Sequence, residues 1–83
     1  MKEIEDKIRD LMVDKLGLAK TEITPDANFI KDLGIDSLDY AELVMEFEQA
    51  FAIKIPDSDA ENLQNIRQAV QYIADKKAAK EEG

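Results

Sequence analysis

Apolar side chains recur along this chain with a helical stride in three places. Ile4, Ile8, Leu11 and Met12 fall at i, i+4, i+7 and i+8, and Leu16 continues the stripe. Gly17 follows as a C′ residue, with Leu18 placed for the apolar contact of a Schellman stop, so a first helix is expected over about 2–16. Leu38, Ala41, Leu43, Val44, Phe47 and Phe51 form a second helical stripe, behind Asp36 as N-cap and Asp39 in the first turn. A second helix is therefore expected over about 37–51. Ile66, Ala69, Val70 and Ile73 form the third, behind Asn65 as N-cap with Gln68 three residues on. This last helix is expected over about 66–79, with 80–83 as a frayed tail.

The segments between these stripes read differently. Ile53-Lys54-Ile55-Pro56 is extended, because the residue before proline avoids the α region, and Asp57 or Ser58 then caps a short helix over about 57–63. From Leu18 to Asp36 no period holds, and Thr24-Pro25 interrupts any helix. Leu18, Ile23, Phe29, Ile30, Leu33 and Ile35 supply apolar side chains that pin this stretch as an ordered loop rather than a linker. The expected fold is all-α: three main helices and a short fourth, with a long ordered loop between the first and second. At 83 residues the chain, 1–83, is one small domain, too short for two cores.

Charge changes this picture locally. The formal net charge is −8, and all of it is accounted for by residues 32–63, where nine acids face Lys54 alone. Such a cluster repels nucleic acid and anionic lipid and attracts basic protein surfaces. No apolar run is long enough for a membrane span and no signal peptide is visible, so a cytoplasmic protein is expected; a monomer is the expected state.

The chemistry is narrowed by what is missing. With no cysteine and no histidine the chain has neither intrinsic thiol chemistry nor the commonest general base. Gly34-Ile35-Asp36-Ser37-Leu38 lacks the second glycine of a nucleophile elbow, so no catalytic residue is expected. A calcium loop starting at Asp32 would put Gly34, Ser37 and Leu43 where it needs a ligand, a glycine and a glutamate, so no metal site is expected. What remains is a serine that is acted upon: a phosphate esterified to Ser37 would sit at a helix N-terminus, where an anion is stabilised.

Asp32-Leu33-Gly34-Ile35-Asp36-Ser37-Leu38-Asp39, followed by Glu42-Leu43-Val44-Met45-Glu46, resembles the acyl carrier protein signature; so do Phe51, Ile55-Pro56-Asp57 and the last helix with Val70 and Ile73. The likeness runs from the first helix to about Lys77. It implies that Ser37, flanked by Asp36 and Leu38, receives 4′-phosphopantetheine from coenzyme A through a phosphopantetheinyl transferase. It further implies a non-catalytic carrier that shuttles thioester-bound acyl groups between enzymes, with fatty acid biosynthesis as the expected setting. Carriage of polyketide, lipid-modifying or aminoacyl intermediates is the alternative, and an unmodified acidic adaptor is the reading from a different class. Asp39, Tyr40, Glu42, Glu46, Glu48, Asp57 and Glu61 would form the face read by basic patches on ketoacyl synthases, reductases and acyltransferases. Phe29, Val44, Phe47, Ile55, Ala60 and Leu63 would line the acyl pocket.

Four positions depart from the commonest pattern of that family. Ile35 stands where alanine is frequent, Tyr40 and Ala41 where threonine and valine are, and Phe47 where leucine is usual. Large side chains near the pocket entrance would shorten the acyl chain that fits, and Tyr40 would add an aromatic handle to the recognition face.

Overall fold

The computed structural model describes residues 2–82, and the side chains of residues 2–79. Its helices are α1 (Lys2–Leu16), α2 (Ser37–Phe51), α3 (Asp57–Ala60) and α4 (Ile66–Glu82), with a 3₁₀ turn at Lys20–Glu22 between the first two. Among the described residues there is no strand, and the all-α bundle of three long helices and one short one is the expected fold class. α1 packs against both α2 and α4.

The apolar stripes explain this packing. Ile8 and Met12 of α1, Leu43, Val44, Phe47 and Phe51 of α2, and Ile66, Ala69, Val70 and Ile73 of α4 share one core. The connections contribute as well: Ile23, Phe29 and Ile35 from the long loop, and Ile53, Ile55 and Leu63 from the segment between α2 and α4. Three expected members face outward. Leu38 is 68% exposed and Ile30 49% exposed, and Ala41 is exposed beside Leu38. Leu38 and Ala41 lie on the opposite side of α2 from Leu43 and Phe47, as a stride of 100° per residue requires.

The caps depart from expectation in instructive ways. Gly17 takes φ +68° and its N–H reaches the Val13 carbonyl at 3.0 Å, the single 5→1 bond of an αL stop rather than the expected Schellman form. The 6→1 bond of a Schellman stop stands instead after α2, where Ile53 N–H donates to the Glu48 carbonyl at 3.1 Å. The left-handed residue there is Ala52, φ +54°, in a place that glycine usually takes.

α3 is shorter than expected, ending at Ala60, after which Asn62 N–H to the Asp59 carbonyl and Leu63 N–H to the Ala60 carbonyl make tighter i→i+3 turns. Its N-cap is Pro56, with no side-chain capping bond, rather than Asp57 or Ser58. α4 runs on to Glu82 instead of stopping at 79, because Ala78, Ala79, Lys80, Glu81 and Glu82 are all strong helix formers. Of the tail expected to fray, Gly83 lies outside the described residues.

The long loop is fastened along its length. Arg9 Nε donates to the Ile23 carbonyl at 3.0 Å while the same guanidinium pairs with Glu5. Arg67 grips both oxygens of Asp26 at 2.8 and 3.2 Å, and its backbone N–H donates to the Pro25 carbonyl at 3.1 Å. The hydrogen bonds from the Arg67 guanidinium, and then its charge, hold the Asp26 carboxyl below its ordinary pKa. Further on, Asn28 Oδ1 accepts from Ile30 and Lys31 N–H while Asp32 accepts from Asn28 N–H, which closes one turn of chain around Phe29. Phe29 N–H donates to the Gln64 carbonyl at 2.8 Å and its own carbonyl accepts from Ile35 N–H at 3.0 Å. The radius of gyration, 12.0 Å, matches the roughly 12 Å of a compact chain this long, so the loop lies against the bundle.

Candidate functional site

Ser37 is the first residue of α2 and is exposed. Asp36 precedes it in an extended conformation, and its Oδ1 accepts from Leu38 N–H at 3.3 Å, so aspartate and not serine caps the helix. Ser37 Oγ–H points to the same Oδ1 at 3.4 Å. The serine hydroxyl is thus spared structural work at the positive end of a fifteen-residue helix. Gly34, at φ +68°, and Ile35, anchored to Phe29, deliver the chain to this point.

Around Ser37, α2 turns an exposed face made of Leu38, Ala41, Glu42 and Met45, and Met45 is 56% exposed. Asp39, Glu42, Asp57 and Glu61 are exposed. The other three residues assigned to that face are engaged within the fold. Glu46 turns toward α1, with Oε1 3.8 Å from Lys15 Nζ. Glu48 Oε2 accepts from Ile55 N–H at 2.8 Å and so ties the extended segment to α2.

Tyr40 is the largest correction to the sequence reading. Its ring turns inward against Phe29, with centroids 5.6 Å apart, and its hydroxyl lies 2.7 Å from the carbonyls of both Ala60 and Leu63. One phenolic proton is shared between two carbonyls, and burial pushes the phenol pKa up to about 12. An aromatic beside the core with a polar tip is drawn inward when carbonyls lie within its reach, and the α3 turn supplies two.

The acyl pocket residues divide. Val44, Ile55 and Ala60, with Tyr40, Ala41 and Met45, line a groove of about 400 Å³ between α2 and α3. Phe29 and Leu63 line a second cavity of about 210 Å³, with Ile30, Tyr40 and Gln64. Phe47 is fully buried in the core, and Ile35 is buried with it, so neither narrows the groove entrance. Neither Met45 nor Ala41 was expected in the groove, since Met45 falls off the apolar stripe of α2 and Ala41 reads as a core member of it; the signal was their position seven and three residues after Leu38.

α3 is suspended between the chain's two tyrosines. Tyr40 reaches it from α2, while Tyr72 of α4 donates to Asp59 Oδ2 at 2.6 Å. Burial, then the hydrogen bond to Asp59 and its charge, push the Tyr72 pKa up to about 12, and Lys76 Nζ lies 5.4 Å from the centre of its ring. Among the described residues no acidic cluster is placed to hold a metal ion, and no helix is long and apolar enough to cross a membrane.

An exposed serine hydroxyl at the start of a long helix, one turn from an apolar groove, fits a covalently tethered arm. The sequence profile of the phosphopantetheine attachment site family matches residues 6–73. The chain is also 48% identical to the acyl carrier protein of Chloroherpeton thalassium over 75 residues, which cover 90% of this chain and 94% of that relative.

Proposed function

This chain belongs to the acyl carrier protein family, and from that membership we propose that Ser37 bears the 4′-phosphopantetheine arm and that the protein shuttles acyl groups in fatty acid biosynthesis. Members of the family are carriers, not enzymes, and hold 4′-phosphopantetheine covalently. When bound, the arm supplies the thiol that this cysteine-free chain lacks, and acyl groups ride on it as thioesters.

The observation that carries the assignment is the division of labour between Asp36 and Ser37. Asp36 holds the helix end, so Ser37 Oγ is exposed and its modification costs the fold no cap. The phosphodiester then lies where the first-turn amides and the helix dipole favour negative charge. The groove beside α2 is lined by Val44, Met45, Ile55 and Ala60 together with Glu48, Asp57 and Glu61, and its apolar side chains suit a hydrocarbon chain. Val44 is seven residues beyond Ser37, about 10 Å along the helix axis, so an arm on Ser37 is anchored within reach of the groove.

Asp39, Glu42, Asp57 and Glu61 form the surface proposed for phosphopantetheinyl transferase and acyl-processing enzymes. Complementary charge raises association rates more than final affinity, and salt weakens it, which suits a carrier that must leave each enzyme quickly. The setting proposed is the cytoplasm.

Intact mass after incubation with coenzyme A, magnesium and a phosphopantetheinyl transferase tests the assignment. Wild type should gain one phosphopantetheine and Ser37→Ala none. An equal gain in Ser37→Ala would move the attachment to another residue; no gain in either protein with several transferases would remove it altogether.

A further inference from the structure

Two cavities share a wall that includes Tyr40. The groove between α2 and α3 and the smaller cavity under the 28–31 turn have only Tyr40 and Glu61 in common among their lining residues. The Tyr40 hydroxyl is bonded to Ala60, a wall of the first, and to Leu63, a wall of the second. Its ring rests on Phe29, which belongs to the second alone. Were the ring to move, the groove would gain a cavity about half its own size, floored by Phe29 and Leu63.

We infer that Tyr40 is a latched partition that sets how long an acyl chain this protein can shelter. The inference rests on the reading of Ser37 as the attachment point. With the latch closed, the groove beside Val44 and Ile55 takes a short chain, and methylenes beyond it stay in water. A longer chain enters only by displacing the ring from both carbonyls, which leaves Ala60 and Leu63 without the phenol and works against entry. Ile35 and Phe47, the other bulky departures, sit in the core and have no part in this limit. The same bonds hold α3 to α2, so the partition and the groove wall move together.

The test uses the full chain loaded at Ser37 with hexanoyl, decanoyl or hexadecanoyl phosphopantetheine, and reads the rate of thioester cleavage by hydroxylamine. Intact mass first establishes loading, and its failure at Ser37 would overturn the attachment reading and this inference with it. In loaded wild type, protection should level off as the chain lengthens. In Tyr40→Ala it should continue to grow, by up to about fourfold for each further methylene taken in, the factor that corresponds to about 0.8 kcal/mol per buried methylene. Tyr40→Phe keeps the ring and loses the latch, and should cleave the hexadecanoyl form at least about fourfold more slowly than wild type, one further methylene's worth of shelter. Should Tyr40→Ala fail to fold, Tyr40→Phe decides alone. Identical dependence on chain length in wild type and the folded variants, with Ser37 loaded in each, overturns the partition while leaving the attachment site standing.

Discussion

Tyr40 and Leu63, 23 residues apart in the chain, are joined by a 2.7 Å hydrogen bond from phenol to backbone carbonyl, and the same hydroxyl serves Ala60 at 2.7 Å. Only the neutral phenol can make this bond. The folded pKa is raised to about 12 by burial, above the ordinary value near 10. The linked stability is therefore fully present below about pH 10 and is lost as pH climbs through about 12. Denaturation midpoints taken across this window should fall in wild type. Tyr40→Phe should start about 1–2 kcal/mol less stable and fall less steeply, with Tyr72 left to titrate. A wild-type midpoint that holds steady to the top of the window would contradict this account.

Ala52 closes α2 in the left-handed region, where a Cβ is strained and glycine is at ease. Ala52→Gly should stabilise the fold by about 0.5–1 kcal/mol, the relief of that strain less the added chain entropy of glycine. Thermal melting decides it, and a lowered midpoint would mean that contacts of the methyl group outweigh the backbone term.

The two arginines that fasten the loop should not be equal. Arg9 is partly buried and donates to the carbonyl of buried Ile23, so Arg9→Ala should cost about 1–2 kcal/mol. Arg67 and Asp26 form an exposed pair, and Arg67→Ala should cost less than about 1 kcal/mol, shrinking further in salt. Urea titrations of both variants at low and high salt would expose a reversed order.

Asp36 and Ser37 should separate stability from modification. Asp36→Ala removes the cap of α2 and should cost about 1 kcal/mol. Ser37→Ala should stay within about 0.5 kcal/mol of wild type while losing the arm. Circular dichroism beside intact mass resolves the two, and a helix-poor Ser37→Ala chain would reveal a structural duty for the serine.

Glu42 and Glu46 should separate as well. Glu42 faces solvent next to Leu38 and Met45, whereas Glu46 is turned toward Lys15. Glu42→Lys should slow association with partner enzymes by several-fold, with the difference fading in salt, and leave stability unchanged. Glu46→Lys should act more on stability, by placing two lysines together. Association rates at two salt concentrations, read against melting curves, would show whether the division holds.

What could be read in the sequence was whatever a single helix expresses by itself. Ile8 with Met12, and Ile66 with Ile73, show their burial through spacing alone, and Asp36 and Asn65 show their caps through residue type. Ser37 stood out because a loop, a cap and a helix start converge there. The failures share another cause. Tyr40, Glu46 and Glu48 read as surface residues because their partners lie on other elements: the Ala60 and Leu63 carbonyls, Lys15, and Ile55 N–H. Pocket membership failed likewise at Phe47, since a residue on the core stripe is equally suited to lining a cavity or filling the centre. The early end of α3 is also tertiary in origin, because the carbonyls it presents to Tyr40 belong to its last residue and to the turn beyond.

The chain has no tryptophan, and both of its tyrosines close on α3. Its near-ultraviolet absorbance and intrinsic emission therefore arise chiefly from the two rings that grip one wall of the groove. Loading an acyl chain, docking a partner or releasing α3 would each alter the surroundings of a phenol. The protein thus carries an optical gauge of its own cargo space, readable without any added label.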